Sequence, residues 1–177
     1  CACKNNQVYD EWIVRDQGAM VRQLGYTPKE FAKQIIEKEG GENKAKKVFD
    51  LNSDMKSEYT PFSFEKDSIG EKYSQILKKI FLEDYKFNNY ARAASIFWPG
   101  NKIGHGREEI SKFWNSIKNT LKNINFSIEH VGWLEEAGKN SKVSIRWFLN
   151  GLHANNTNEY EQATNKNIFI MGINHAE

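Results

Sequence analysis

The sequence predicts an α+β fold, a small cone in which a curved antiparallel sheet wraps helices around a pocket. Three observations predict it. Segments of helical period occupy the first two thirds of the chain, while long alternating strands fill the last third, separated by a turn at Gly138-Lys139-Asn140. Between them a tight glycine turn, Gly104-His105-Gly106, feeds a helix start. A pocket built this way, with sparse polar groups on an apolar wall, takes small organic molecules.

Taken in order, Gln7 to Val14 alternates as a strand, and Arg15 to Leu24 carries Ala19, Met20, Val21 and Leu24 ahead of the helix stop Gly25. Thr27-Pro28 is an N-cap followed by a first-turn proline, opening a helix with Phe31, Ala32, Ile35 and Ile36 on one face. Gly40-Gly41 ends it, and the polar, weakly periodic stretch 42–66 reads as a linker with a short helix near Lys44–Phe49. From Ser68, residues Ile69, Tyr73, Ile76, Leu77, Ile80, Phe81 and Tyr85 recur at threes and fours, an amphipathic helix. Tyr90 to Phe97 reads as a short helix or turn entering a strand. Arg107 to Leu121 is a helix with Ile110, Phe113, Trp114, Ile117 and Leu121 on one face. Phe126–Leu134, Lys142–His153 and Asn167–His175 alternate as strands, with a polar loop at 154–166.

Composition narrows the function classes. The 177 residues are 39% hydrophobic and 13% aromatic, enough for one packed core rich in rings. A net charge of +2, with lysine pairs scattered among acids, describes a solvated surface and not a nucleic-acid stripe. No apolar run approaches the ~20 residues of a membrane span. The four histidines at 105, 130, 153 and 175 are dispersed, and no His-x-x-Glu-His or Cys-x-x-Cys spacing occurs, so no metal site is expected. There is no glycine-rich phosphate loop and no Gly-x-Ser-x-Gly elbow, which leaves cofactor-free chemistry or simple binding.

Cys1 and Cys3 lie one residue apart, and a disulfide between them in a strand would be strained. Two readings are open: reduced thiols of a cytoplasmic protein, or Cys1 as the lipid-bearing first residue of a mature lipoprotein with Asn5-Asn6 starting a polar tether. Because the chain opens on residues that read as a finishing strand and stops just after a strand, the expectation is a segment of a longer protein.

The residues Trp98-Pro99-Gly100, Gly104-x-Gly106 with Ile110 and Phe113-Trp114, Ser144-x-Arg146-Trp147 with Gly151-x-His153, and Gly172-Ile173-Asn174-His175 carry a resemblance. Over 68–177 the chain resembles the SnoaL-like branch of the nuclear transport factor 2-like superfamily, which includes polyketide and ester cyclases. Glu11-Trp12-Ile13-Val14-Arg15-Asp16 with Gln23-Leu24-Gly25 is similar to the closing strand and tail helix of such a module. The resemblance implies three parts: 1–39 as the end of a preceding module, 40–67 as linker, and 68–177 as a module lacking its last strand. Two loops depart from the family pattern, Ala154-Asn155-Asn156 and Ala163-Thr164-Asn165.

The implied activity is that of a cofactor-independent enzyme acting on a small cyclic carbonyl compound by general acid/base chemistry. The alternative is a non-catalytic module that binds a small ligand or dimerises through its sheet. The cyclases carry a catalytic aspartate on the closing strand, whose counterpart here is Asp16; an N-cap for the following helix is its other reading. His175 is the candidate partner for proton abstraction beside a carbonyl. His153, at the end of the face carrying Val143, Ile145, Trp147, Leu149 and Gly151, either lines the pocket or bonds a loop carbonyl. Trp98, Trp114, Trp147 and Tyr85 are candidate ligand walls, with core packing as the competing reading for each tryptophan. Arg146 faces away from Trp147, toward the outer sheet surface by which modules of this family pair, as a homodimer or within one chain.

Overall fold

A computed structural model describes residues 2–45, 65–157 and 162–177. It is mixed α+β, with helices preceding an antiparallel sheet. The chain divides into two compact units, 1–60 with 98–102, and 61–97 with 103–177.

In the first unit, β1 (Ala2–Lys4) and β2 (Gln7–Asp10) form a hairpin. Asn5 and Asn6 take φ of 52° and 58°, the left-handed pair that a two-residue hairpin turn demands. The asparagines therefore turn the chain from β1 into β2. The strand ends at Asp10, paired with Ala2 of β1, short of the expected Val14. The helix α1 (Gln17–Gln23) starts at Asp16, whose Oδ1 accepts from Ala19 N at 2.8 Å. In α2 (Pro28–Lys38) a full capping box holds the start. Glu30 N donates to Thr27 Oγ1 at 3.2 Å, and Thr27 N donates to Glu30 Oε2 at 2.9 Å. Most of the expected linker, 40–67, and its short helix fall on 46–64, outside the described residues.

The second unit is built on α3 (Ile69–Leu82), α4 (Gly106–Thr120) and three strands, β5 (Leu121–Leu134), β6 (Lys142–His153) and β7 (Asn167–Ala176). Their order is β5-β6-β7, antiparallel throughout. Ser68 Oγ accepts from Glu71 N at 3.2 Å and the Glu71 carboxylate accepts from Asp67 N at 2.8 Å, closing the first turn of α3. β3 (Ser95–Trp98) and β4 (Lys102–His105) form a short hairpin, entered through turns at 88–89 and 92–93 as expected for 90–97. Gly106, at φ +77°, donates its N–H to Ala94 O at 2.8 Å and turns the chain from this hairpin into α4.

β5 begins at Leu121, five residues before the expected Phe126, because Leu121 and Lys122 pair with His153 and Leu152 at the end of β6. Asn123 at φ +53° sits in the register shift between Lys122 and Asn125, and a second shift falls between Ile128 and His130. Such bulges bend a strand and tighten its twist. On the helix-covered face, Val143, Ile145, Trp147 and Leu149 of β6 join Leu77, Ile80 and Phe81 of α3 and Ile110, Trp114 and Ile117 of α4 in one core. Gly70 lets α3 approach β5, since a Cβ there would stand 2.9 Å from the Trp133 ring. Among the described residues no helix is long and apolar enough to cross a membrane.

Candidate functional site

Strand alternation sorts the candidates onto two faces of the β5-β6-β7 sheet. Across β6–β7, Trp147 pairs with Gly172, Ile145 with Asn174 and Val143 with Ala176, all on the face covered by helices. Ser144 pairs with His175 and Arg146 with Ile173, on the opposite face. His175 is exposed there, beside a shallow depression of about 270 Å³ that also has Trp133, Lys142 and Glu177 on its rim. His153 lies at the other end of β6, nine residues from Ser144, roughly 30 Å at the rise of a strand. The two histidines therefore do not meet, and His175 does not share a wall with Trp147.

His153 is 8% exposed, and its Nδ1 lies 3.1 Å from Thr164 Oγ1, a side-chain hydroxyl where a loop carbonyl was one expectation. Its Nε2 is buried with no hydrogen-bond partner among the described residues. Asp16 belongs to the first unit, where it caps α1 and also accepts from Gly100 N at 2.5 Å. Burial opposes its charge, but the backbone N–H groups of Ala19, Gly100 and Asn101, with the Arg22 charge, outweigh it and hold its carboxyl below the ordinary value. Trp98 also belongs to the first unit. Arg146 is 7% exposed, with its guanidinium carbon 6.0 Å from the Phe148 ring centroid.

Trp114 and Trp147 are packed, at 1% and 5% exposure. Phe81 makes a triangle with them, 5.5 Å from Trp114 edge-on and 5.6 Å from Trp147 with the two indoles 6.2 Å apart, and Phe126 stacks on Phe81 at 4.7 Å. Each such pair adds about 0.5–1.5 kcal/mol beyond its buried area. Tyr85 is half-buried, 4.9 Å edge-on from Phe87, and its hydroxyl donates to Asn89 Oδ1 at 3.1 Å.

Onto this apolar face the fold brings a row of polar groups that the sequence did not single out. Trp147 Nε1 donates to Asn174 Oδ1 at 2.7 Å. Asn174 Nδ2 in turn donates to the Tyr73 hydroxyl at 3.3 Å. The Tyr90 hydroxyl lies beside that of Tyr73. The indole N–H of Trp114 approaches the Tyr90 hydroxyl without closing a bond of ordinary geometry. Burial raises the pKa of Tyr73, of Tyr85 and of Tyr90, so all three phenols stay protonated across the physiological range. Tyr73 comes from α3, Tyr90 from the segment ahead of the hairpin, and Asn174 from β7. Only the alternation of β7 hinted at Asn174, which stands two residues beyond Gly172 on the Trp147 face.

Among the described residues, no three His, Cys, Asp or Glu side chains cluster as metal ligands would. Comparisons with protein-family models, with curated proteins and with solved structures found no match for this chain.

Proposed function

We propose that residues 68–177 form a SnoaL-like module of the nuclear transport factor 2-like kind, a cone whose helix-covered sheet face binds a small cyclic carbonyl compound. One observation carries this reading: the hydrogen-bonded row Trp147–Asn174–Tyr73, with the Tyr90 hydroxyl beside it, on an otherwise aromatic wall. An apolar wall takes up ring surface, and a few placed donors orient a polar substituent. Trp147 and Tyr73 are buried at 5% and 8% exposure, while Asn174 and Tyr90 are half-buried. The protonated phenols would donate to a carbonyl oxygen. A neutral acceptor suits them better than a carboxylate, whose burial here would leave a charge without a counterion.

The cofactor-independent enzymatic reading adds one step. A base takes a proton alpha to the carbonyl while a phenol donates to the developing enolate oxygen, the kind of preorganised donor that lowers such barriers. The separation of His153 from His175 favours at most one of them in that role, and Asp16 would serve the preceding module. The opposite sheet face, carrying Arg146, Phe148 and Ile173, would pair with a second module.

One titration tests both readings. The chain is mixed with 1-tetralone, a ring ketone, in deuterated water, and the tyrosine ring and asparagine amide resonances are followed together with the ketone's alpha protons. Perturbation centred on Tyr73, Tyr90 and Asn174 supports binding, and accelerated loss of the alpha protons supports catalysis. No perturbation near the solubility limit of the ketone would count against the site.

A further inference from the structure

We infer that Arg107, at the start of α4, is a positioning residue that sets Tyr90 in place for the ligand; this rests on the function proposed above. The segment between α3 and the hairpin, residues 83–94, has no regular hydrogen-bond ladder of its own. Its geometry is imposed by α4. Arg107 Nε donates to Tyr90 O at 2.6 Å and Arg107 Nη2 donates to Asn88 O at 3.0 Å, a two-pronged hold on the turn that Tyr90 N closes onto Phe87 O. Lys118 Nζ donates to Glu83 O near the other end, and Gly106 N holds Ala94 O. Between these ties Phe87 is 3% exposed at φ +56°, a left-handed conformation that a bulky residue adopts only where its surroundings enforce it. The buried Phe87 ring separates Tyr85, at 4.9 Å, from Tyr90, at 5.9 Å. The Tyr90 hydroxyl, beside the end of the polar row, thus hangs on a residue whose backbone carbonyl is gripped by a guanidinium. Lysine keeps the charge but cannot reproduce the planar fork, so Arg107→Lys separates geometry from electrostatics.

The test uses the full chain as wild type, Arg107→Lys and Arg107→Ala, with Tyr90→Phe to assign the Tyr90 ring resonances. In Arg107→Lys the Tyr90 resonances are expected to shift and broaden while those of Tyr26 stay fixed. Its affinity for 1-tetralone is expected to fall about five- to tenfold, the worth of one well-made hydrogen bond. Unmoved Tyr90 resonances together with unchanged affinity in Arg107→Lys overturn the inference. If wild type itself binds no 1-tetralone, the functional reading fails on its own evidence, and the positioning role is then decided by the Tyr90 resonances alone. If Arg107→Ala does not fold, the lysine variant carries both readouts.

Discussion

The Trp147 indole lies over Gly172, its cross-strand partner on β7, in the volume that a Cβ at residue 172 would occupy. Such a Cβ would come within 3.0 Å of three indole carbons, closer than real Cβ contacts reach. No left-handed φ is involved at Gly172; space alone requires the glycine.

Gly172→Ala is therefore expected to destabilise the chain by about 1–3 kcal/mol, the usual cost of forcing a side chain off its packing position. The sign is the informative part, because alanine in place of glycine in a strand interior ordinarily reduces chain entropy loss and stabilises. Urea unfolding of the two proteins measures it, and an alanine variant as stable as wild type would show that the indole has another place to go.

Asn174 connects β7 to α3 through two hydrogen bonds, one from Trp147 and one to Tyr73. Removing it in Asn174→Ala leaves a buried indole N–H and a buried phenol short of a partner, expected to cost about 1–3 kcal/mol. Combined with Tyr73→Phe, the two losses should be less than additive by at least ~0.5 kcal/mol, since both variants break the same row. Strict additivity in a double-mutant cycle would mean the row is not coupled.

The phenols make stability sensitive to alkali. Tyr73 and Tyr90 release their protons at a higher pH when folded than the ordinary 10.0, so above pH 10 the unfolded state binds fewer protons than the native one. Their contribution is complete below pH 10 and is lost as pH rises toward the folded pKa values. Thermal unfolding from pH 8 to 12 should show a decline beginning near 10, and Tyr90→Phe should flatten it. An unchanged slope in that variant would assign the decline to other groups.

Asp16 works in the opposite direction. Its folded pKa lies below 3.8, so the stability it supplies to the first unit is present above that value and is lost as pH falls through the folded pKa. The amide resonances of Ala19 and Gly100, which donate to its two carboxylate oxygens, should titrate together with a midpoint below 3.8, and Asp16→Asn should abolish the transition. Separate midpoints for the two amides would break the link between cap and loop.

What the sequence determined by itself is local. Helix starts at Thr27-Pro28 and Ser68, the strand limits 142–153, and the alternation of 167–175 all follow from capping chemistry and from periods of 3.6 and 2, which act within a few residues. The apolar stripes of α3 and α4 were legible for the same reason. What only the tertiary structure decided is which of two alternating faces turns toward those helices. His175 and Asn174 are neighbours in the chain, and one residue of parity separates an exposed ring from a half-buried amide bonded to Trp147. The early start of β5 has the same origin, since Leu121 and Lys122 are strand residues only because the end of β6 offers them partners. The polar row likewise joins Tyr73, Tyr90, Trp147 and Asn174 from four separate segments, and no local pattern can announce a bond whose two ends lie 101 positions apart. Hydrogen bonding and burial between distant segments depend on the packed register, which exists only once the chain has folded.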